Sequence, residues 1–159
     1  MTDPTDSLVS FQQALLAGEI RLQPGELDSN IFVYMDRPKP DVTRITYVRL
    51  EGRTVKAFVN VVPAGFIEGL PVFQLGVAVP AKYRNKGYAK STLAAAIAEM
   101  ENGFSRANIP SFYVEGVVGI DNEPSKRASA ATISPTPTSI TDEVSGLPAL
   151  HYIRKIGRP

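Results

Sequence analysis

The chain changes hydrophobic period once, abruptly, between residues 72 and 100, and no other feature constrains its fold as much. VFQLGVAV (72–79) is apolar nearly throughout, the pattern of a strand buried on both faces. After Pro80, YAKSTLAAAIAEM (88–100) sets Leu93, Ala96, Ile97 and Met100 on one helical stripe, and Gly103 and Pro110 close it. A further strand-like run, FYVEGVV (112–118), follows at once. Strand, loop, long helix, strand is a crossover unit, and it belongs at the centre of a sheet with helices packed on it. Gly76, inside the first strand, predicts a bulge or a close backbone approach.

The flanking segments supply the rest of the sheet. Residues 31–36 (IFVYMD), 44–50 (RITYVRL) and 54–62 (TVKAFVNVV) are β-branched or alternating, and the link Glu51-Gly52-Arg53 makes the last two an antiparallel hairpin. Residues 63–71 (PAGFIEGLP) read as a loop. Asp6 or Ser7 opens an N-terminal helix ending near Ala17–Gly18, with Leu8, Phe11, Leu15 and Leu16 as its apolar face. Residues 124–133 form a short helix after Asn122, and 139–142 with 150–156 form a last hairpin. The expected class is α+β: one domain over 1–159, with a mixed, mostly antiparallel central sheet flanked by helices.

Composition narrows the chemistry. Seventeen Lys+Arg against sixteen Asp+Glu leave a net charge of +1, without the basic excess of a nucleic-acid or polybasic membrane surface. There are no cysteines and one histidine, His151, so neither a thiolate nucleophile nor a multi-histidine metal site can be built, and no metal is expected. No run reaches the roughly 18 apolar residues of a membrane span, and the first ten residues, MTDPTDSLVS, are polar and acidic where a secretory leader would be basic and then apolar. A cytoplasmic protein is the expectation.

Chemistry concentrates in the loop that joins the buried strand to the long helix. The first N–H groups of a helix lack intrahelical partners and carry the positive end of its dipole. Arg84, Asn85, Lys86, Gly87, Tyr88, Ala89 and Lys90 surround that point. Gly87 lets backbone approach a ligand and Ala89 keeps the approach uncrowded, which makes a phosphate cradle. The plain alternative is a charged turn before an ordinary helix.

Arg84-Asn85-Lys86-Gly87-Tyr88-Ala89 fits R/Q-x-x-G-x-G/A after a strand ending V-x-V-P. It closely resembles the acetyl-CoA-binding motif of the GCN5-related N-acetyltransferases (GNAT); the nucleotide P-loop's Gly-Lys-Ser/Thr is absent. A second segment, from Glu115 through Asn122 to Ser125, resembles that family's strand followed by Asn-x-x-Ser/Ala. The resemblance implies the GNAT-like acyl-CoA N-acyltransferase fold, in which a splayed strand holds the cofactor. Loop amides would take the CoA pyrophosphate, Val77 and Val79 on the strand would meet the pantetheine arm, and Asn122 and Ser125 would flank the outer part of the cofactor. A backbone N–H near 76–79 would polarise the thioester.

The chain also departs from the family. Members place helices between their first two strands, whereas only residues 37–43 separate 31–36 from 44–50 here; residues 1–30 form an atypical N-terminal helix and loop, or a first strand near 19–22. The tyrosine that often serves as general acid in the helix after the Asn is replaced by Ser129. Glu115, the one acid in an apolar strand, is the candidate base, burial being what would make a carboxyl basic; a carboxylate turned to solvent or paired with a cation is the plain alternative. Tyr152 is the candidate acid. His151 beside it would point to the opposite face, so only one of the two can reach the cleft. Tyr83 and Tyr88 read as packing around the cofactor. Glu68, in the 63–71 loop, is the candidate for binding a cationic substrate.

The sequence therefore predicts an acetyl-CoA-dependent N-acetyltransferase acting by direct attack of a primary amine, small or peptidic. The alternative is a GNAT-fold acyl-CoA-binding or regulatory module with weak or no turnover, and the acceptor is not legible. The open edge of the last hairpin invites pairing into a homodimer.

Overall fold

The computed structural model describes residues 4–157. The two ends of the 1–159 domain span, including the first residues of the polar N-terminus, lie outside them. Helix α1 (Thr5–Leu16) is followed by strands β1 (Gln23–Pro24), β2 (Ile31–Lys39), β3 (Val42–Glu51), β4 (Thr54–Ile67) and β5 (Leu70–Ala78). A 3₁₀ turn (Ala81–Tyr83) leads to α2 (Tyr88–Arg106), then β6 (Ser111–Gly119), α3 (Glu123–Thr132), β7 (Thr138–Thr141) and β8 (Pro148–Gly157). The eight strands form one sheet in the order β1-β2-β3-β4-β5-β6-β8-β7. All neighbours run antiparallel except β5 and β6, which the α2 crossover makes parallel.

Alternation along the strands gives the sheet two apolar faces. On one, Val59, Val61, Leu75, Val114 and Ile156 pack against Leu93, Ala96, Ile97 and Met100 of α2 and Ala128 of α3. On the other, Val48, Val55, Phe58 and Ala78 pack against Leu8, Phe11 and Leu15 of α1. Gln12 pins α1 there: its Nε2 donates to the Arg53 carbonyl at 2.8 Å and its Oε1 accepts from the Val55 N–H at 2.7 Å. α1 also reaches β2, where the Tyr34 ring meets Phe11 edge-on with centroids 6.0 Å apart.

The structure corrects several expected boundaries. The 63–71 segment is not a loop: β4 runs on to Ile67 and turns at Glu68-Gly69 into β5. The register slips between Pro63 and Phe66, because proline cannot donate to the ladder and Gly65 takes φ +90°. No bulge falls at Gly76; β5 stays in unbroken register with β4 from Phe73 to Ala78. Gly103 does not end α2, which continues to Arg106 because Phe104 is drawn into ring contacts with Phe73 and Phe112 at 4.9 and 5.0 Å. The first strand does not lie at 19–22. β1 is a two-residue stub after it, and β2 and β3 are joined directly by the tight turn after Lys39.

Candidate active site

β5 and β6 are paired over only three positions, Val72 with Tyr113, Phe73 with Val114 and Gln74 with Glu115. Beyond them β5 stays with β4 as far as Ala78, and β6 stays with β8 as far as Gly119. Each strand keeps its outer ladder while the shared one stops, so the sheet opens as a V. The backbone groups that would have closed that ladder face the gap. A cleft meets the gap on each face of the sheet.

The cleft on the helix face has a volume of about 720 Å³. Val77, Val79, Arg84, Asn85, Gly87, Tyr88, Ala89, Lys90, Asn122 and Ser125 all line it. Asn85 and Gly87 adopt left-handed φ of +62° and +80°, which turns successive amides toward one side and forms an anion nest. No side chain caps α2, so its first-turn N–H groups remain available to a ligand. Arg84 Nε donates to the Val79 carbonyl at 3.0 Å, holding the guanidinium at the mouth. Asn122 caps α3, its Oδ1 accepting from the Ser125 N–H at 3.3 Å.

Three further cations lie near this end: Lys56 and Lys82 beside Tyr83, which lines the cleft, and Arg127. Lys56 Nζ sits 3.6 Å from the centroid of Tyr83, with Lys82 on the same ring. Burial pushes the Tyr83 hydroxyl up, but the two lysines outweigh it and hold it below its ordinary range. Arg127 lines the cleft from α3; the spacing of Pro124, Arg127, Ala128 and Ala131 on one helical face is the signal that could have found it. Lys86 does not line the cleft. The positive end of this cleft is suited to an anionic group.

On the opposite face lies a second cleft of about 620 Å³, floored by Asn60, Gln74, Glu115 and His151 and overhung by the β7–β8 turn. Glu115 and His151 are diagonal neighbours on β6 and β8, since Val117 registers with His151 and Glu115 with Ile153. Their side chains meet, Nε2 to Oε2 at 2.9 Å, and are 26% and 15% exposed for His151 and Glu115. Both are therefore shielded yet reachable from the cleft.

Two candidates are not brought to the gap. Tyr152 registers with Gly116 on the helix face and is 2% exposed in the core; strand alternation sends His151, not Tyr152, to the cleft that Glu115 floors. Glu68 is exposed at the tip of the β4–β5 turn, at φ +51°, and lines neither cleft. Ser129 is buried, with Oγ 3.8 Å from where a Cβ on Gly116 would stand.

No protein-family model and no curated protein matches the sequence. Solved structures do match the fold. An acetyltransferase of the GNAT family from Streptococcus pneumoniae aligns with a TM-score of 0.56 at 14% identity, over 98% of this chain and 96% of that one. An aminoglycoside N(6′)-acetyltransferase from Legionella pneumophila gives 0.52 at 15% identity, over 74% and 64%. The NatC complex bound to Gag peptide and CoA gives 0.51 at 13%, over 70% of each chain. The chain has the GNAT acyltransferase fold: a mixed eight-stranded sheet flanked by three helices. Among the described residues, no helix is long and apolar enough to cross a membrane.

Proposed function

We propose that this protein is a single-domain, acetyl-CoA-dependent N-acetyltransferase that delivers the acetyl group to a primary amine by direct attack. The observation that carries this reading is the parting of β5 and β6 after Gln74 and Glu115, with an anion-nest cleft on one face and a carboxylate–imidazole pair on the other. Acetyl-CoA would lie with its pyrophosphate on the α2 nest beside Arg84 and Lys90 and with its pantetheine arm along Val77 and Val79. Its thioester would then stand at the gap. The acceptor amine would enter from the 620 Å³ cleft, past Asn60 and Gln74 rather than Glu68. Glu115 and His151 are the titratable groups placed to receive its proton.

The neighbours that act on an aminoglycoside or bind a peptide are consistent with an amine acceptor, small or peptidic. The outer edge of β7 is the surface through which two copies would pair, and sedimentation showing only monomer would remove that part. One observation favours the binding-only reading instead: the helix position where the family carries an acid holds the buried Ser129.

Thermal shift with acetyl-CoA, CoA and ATP at equal concentration tests the cofactor. At about a hundred times its Kd, a ligand specific to the folded state adds roughly 2.7 kcal/mol. Both CoA forms should raise the melting temperature and ATP should not; equal responses would overturn the reading. Release of free thiol with a panel of primary amines then separates transferase from binding module.

A further inference from the structure

Resting on the acetyl-transfer reading, we propose that His151 is the catalytic base of this site and that Glu115 is a positioning residue acting through it. His151 is the only histidine in the chain, and the sole hydrogen bond of its ring among the described residues is Nε2 to Glu115 Oε2 at 2.9 Å. With Glu115 as the acceptor of this bond, the ring's hydrogen is on Nε2 and the Nδ1 lone pair is left open. The ring lines the acceptor cleft, so that lone pair belongs to a group an entering amine can meet. Glu115 is the more buried of the two and is engaged by the ring.

The other acids lining the cleft, Asp142 and Glu143, sit on the β7–β8 turn, and Asp142 Oδ1 already accepts the Val144 N–H at 3.0 Å. Neither touches the imidazole. Asn60, Gln74 and Thr141 complete the polar lining and do not titrate.

The transfer balances with one imidazole. Nδ1 takes a proton from the acceptor ammonium, and the freed amine attacks the thioester carbonyl carbon. The C–N bond forms as the C–S bond breaks. The second nitrogen proton goes to the departing sulfur, and the imidazolium returns the first to water through the open cleft. No tyrosine at position 129 is needed for this count.

A lone histidine makes the test direct. With ¹⁵N-histidine labelling, the wild-type ring at a pH where it is neutral should show hydrogen on Nε2, and Glu115→Gln should lose that preference. His151→Gln should lower kcat by about 10²–10⁴-fold, with the acetyl-CoA thermal shift and the KM for acetyl-CoA retained. Added imidazole should restore part of the turnover of His151→Ala and none of that of Glu115→Gln. Turnover of His151→Ala within threefold of wild type, or a neutral ring protonated on Nδ1, would overturn the assignment. If acetyl-CoA stabilises the protein but no amine in the panel turns over, the binding-module reading holds and the base assignment falls with the transferase reading. Absence of any acetyl-CoA stabilisation in the wild type would instead overturn the acetyl-transfer reading, and the base with it.

Discussion

Arg84 shows how much one side chain can decide at an exposed site. Its Nε is tied to the Val79 carbonyl, so the charge is held at the nest instead of sweeping through solvent. Arg84→Glu reverses that charge where the α2 dipole is also positive, and CoA affinity should fall at least tenfold, about 1.4 kcal/mol, in a calorimetric titration. Unchanged affinity would place the anion elsewhere. Asn85 is the second informative residue: at φ +62° it holds a conformation that Asn tolerates and β-branched side chains do not. Asn85→Val should cost about 1–2 kcal/mol and weaken CoA binding with it, whereas Asn85→Gly should retain both. Tyr47 is a residue-scale reporter of pH. Burial first, and then the nearby Glu99 charge, raise its hydroxyl pKa well above the ordinary value. A raised folded-state pKa gives stability that is complete below the unfolded value, about 10, and is lost as pH rises above it. Tyr47→Phe should therefore flatten the alkaline decline in denaturant midpoint relative to wild type; parallel declines would refute it.

Among the elements, α2 serves two sites at once. Its N-terminus builds the nest, and Glu99, between Ile97 and Met100, turns to the loop between β1 and β2. There the carboxylate accepts the backbone N–H groups of Glu26, Leu27 and Asp28 at 3.0, 2.6 and 3.1 Å. Gly25 is required by the same contact, since a Cβ there would stand 2.9 Å from Glu99 Oε1. Glu99→Ala would strand three donors in a partly buried loop, and a loss of about 3 kcal/mol is expected in chemical denaturation. Glu99→Gln, which keeps one acceptor oxygen, should lose less. Equal stability of all three proteins would mean that water replaces the carboxylate freely. α3 is simpler: Asn122 caps it and thereby sets the cleft wall carrying Ser125 and Arg127. Asn122→Ala should cost about 1 kcal/mol of stability together with some CoA affinity.

For the whole molecule, the sheet is the shared wall of both apolar clusters, so the two faces cannot unfold separately without exposing strands they hold in common. Unfolding should be a single transition with equal calorimetric and van't Hoff enthalpies; two resolved transitions would break the one-domain reading. α1 contributes from outside the crossover unit. Leu8→Ala should lower stability by about 2–4 kcal/mol while leaving the CoA response in place, because Leu8 packs on the face opposite α2 and α3.

What local sequence determines is set by near-neighbour chemistry, and it was legible here. The period change around Pro80 gave the strand–loop–helix unit, and Gly87 marked the left-handed turn that opens α2. Asn122 announced the start of α3. What depended on distant contacts was not legible. Phe104 carries α2 past Gly103 because Phe73 and Phe112 wait across the core. Pro63 and Gly65 continue a strand because β5 pairs with the residues on either side of them. Alternation told that only one of His151 and Tyr152 could reach the cleft, but the choice between them is a matter of register between β6 and β8, and a shift of one residue would exchange them. The pairing of Glu115 with His151, and the gap opened where β5 leaves β6, exist only in the tertiary structure, because neither strand alone carries the information of where its partner stops.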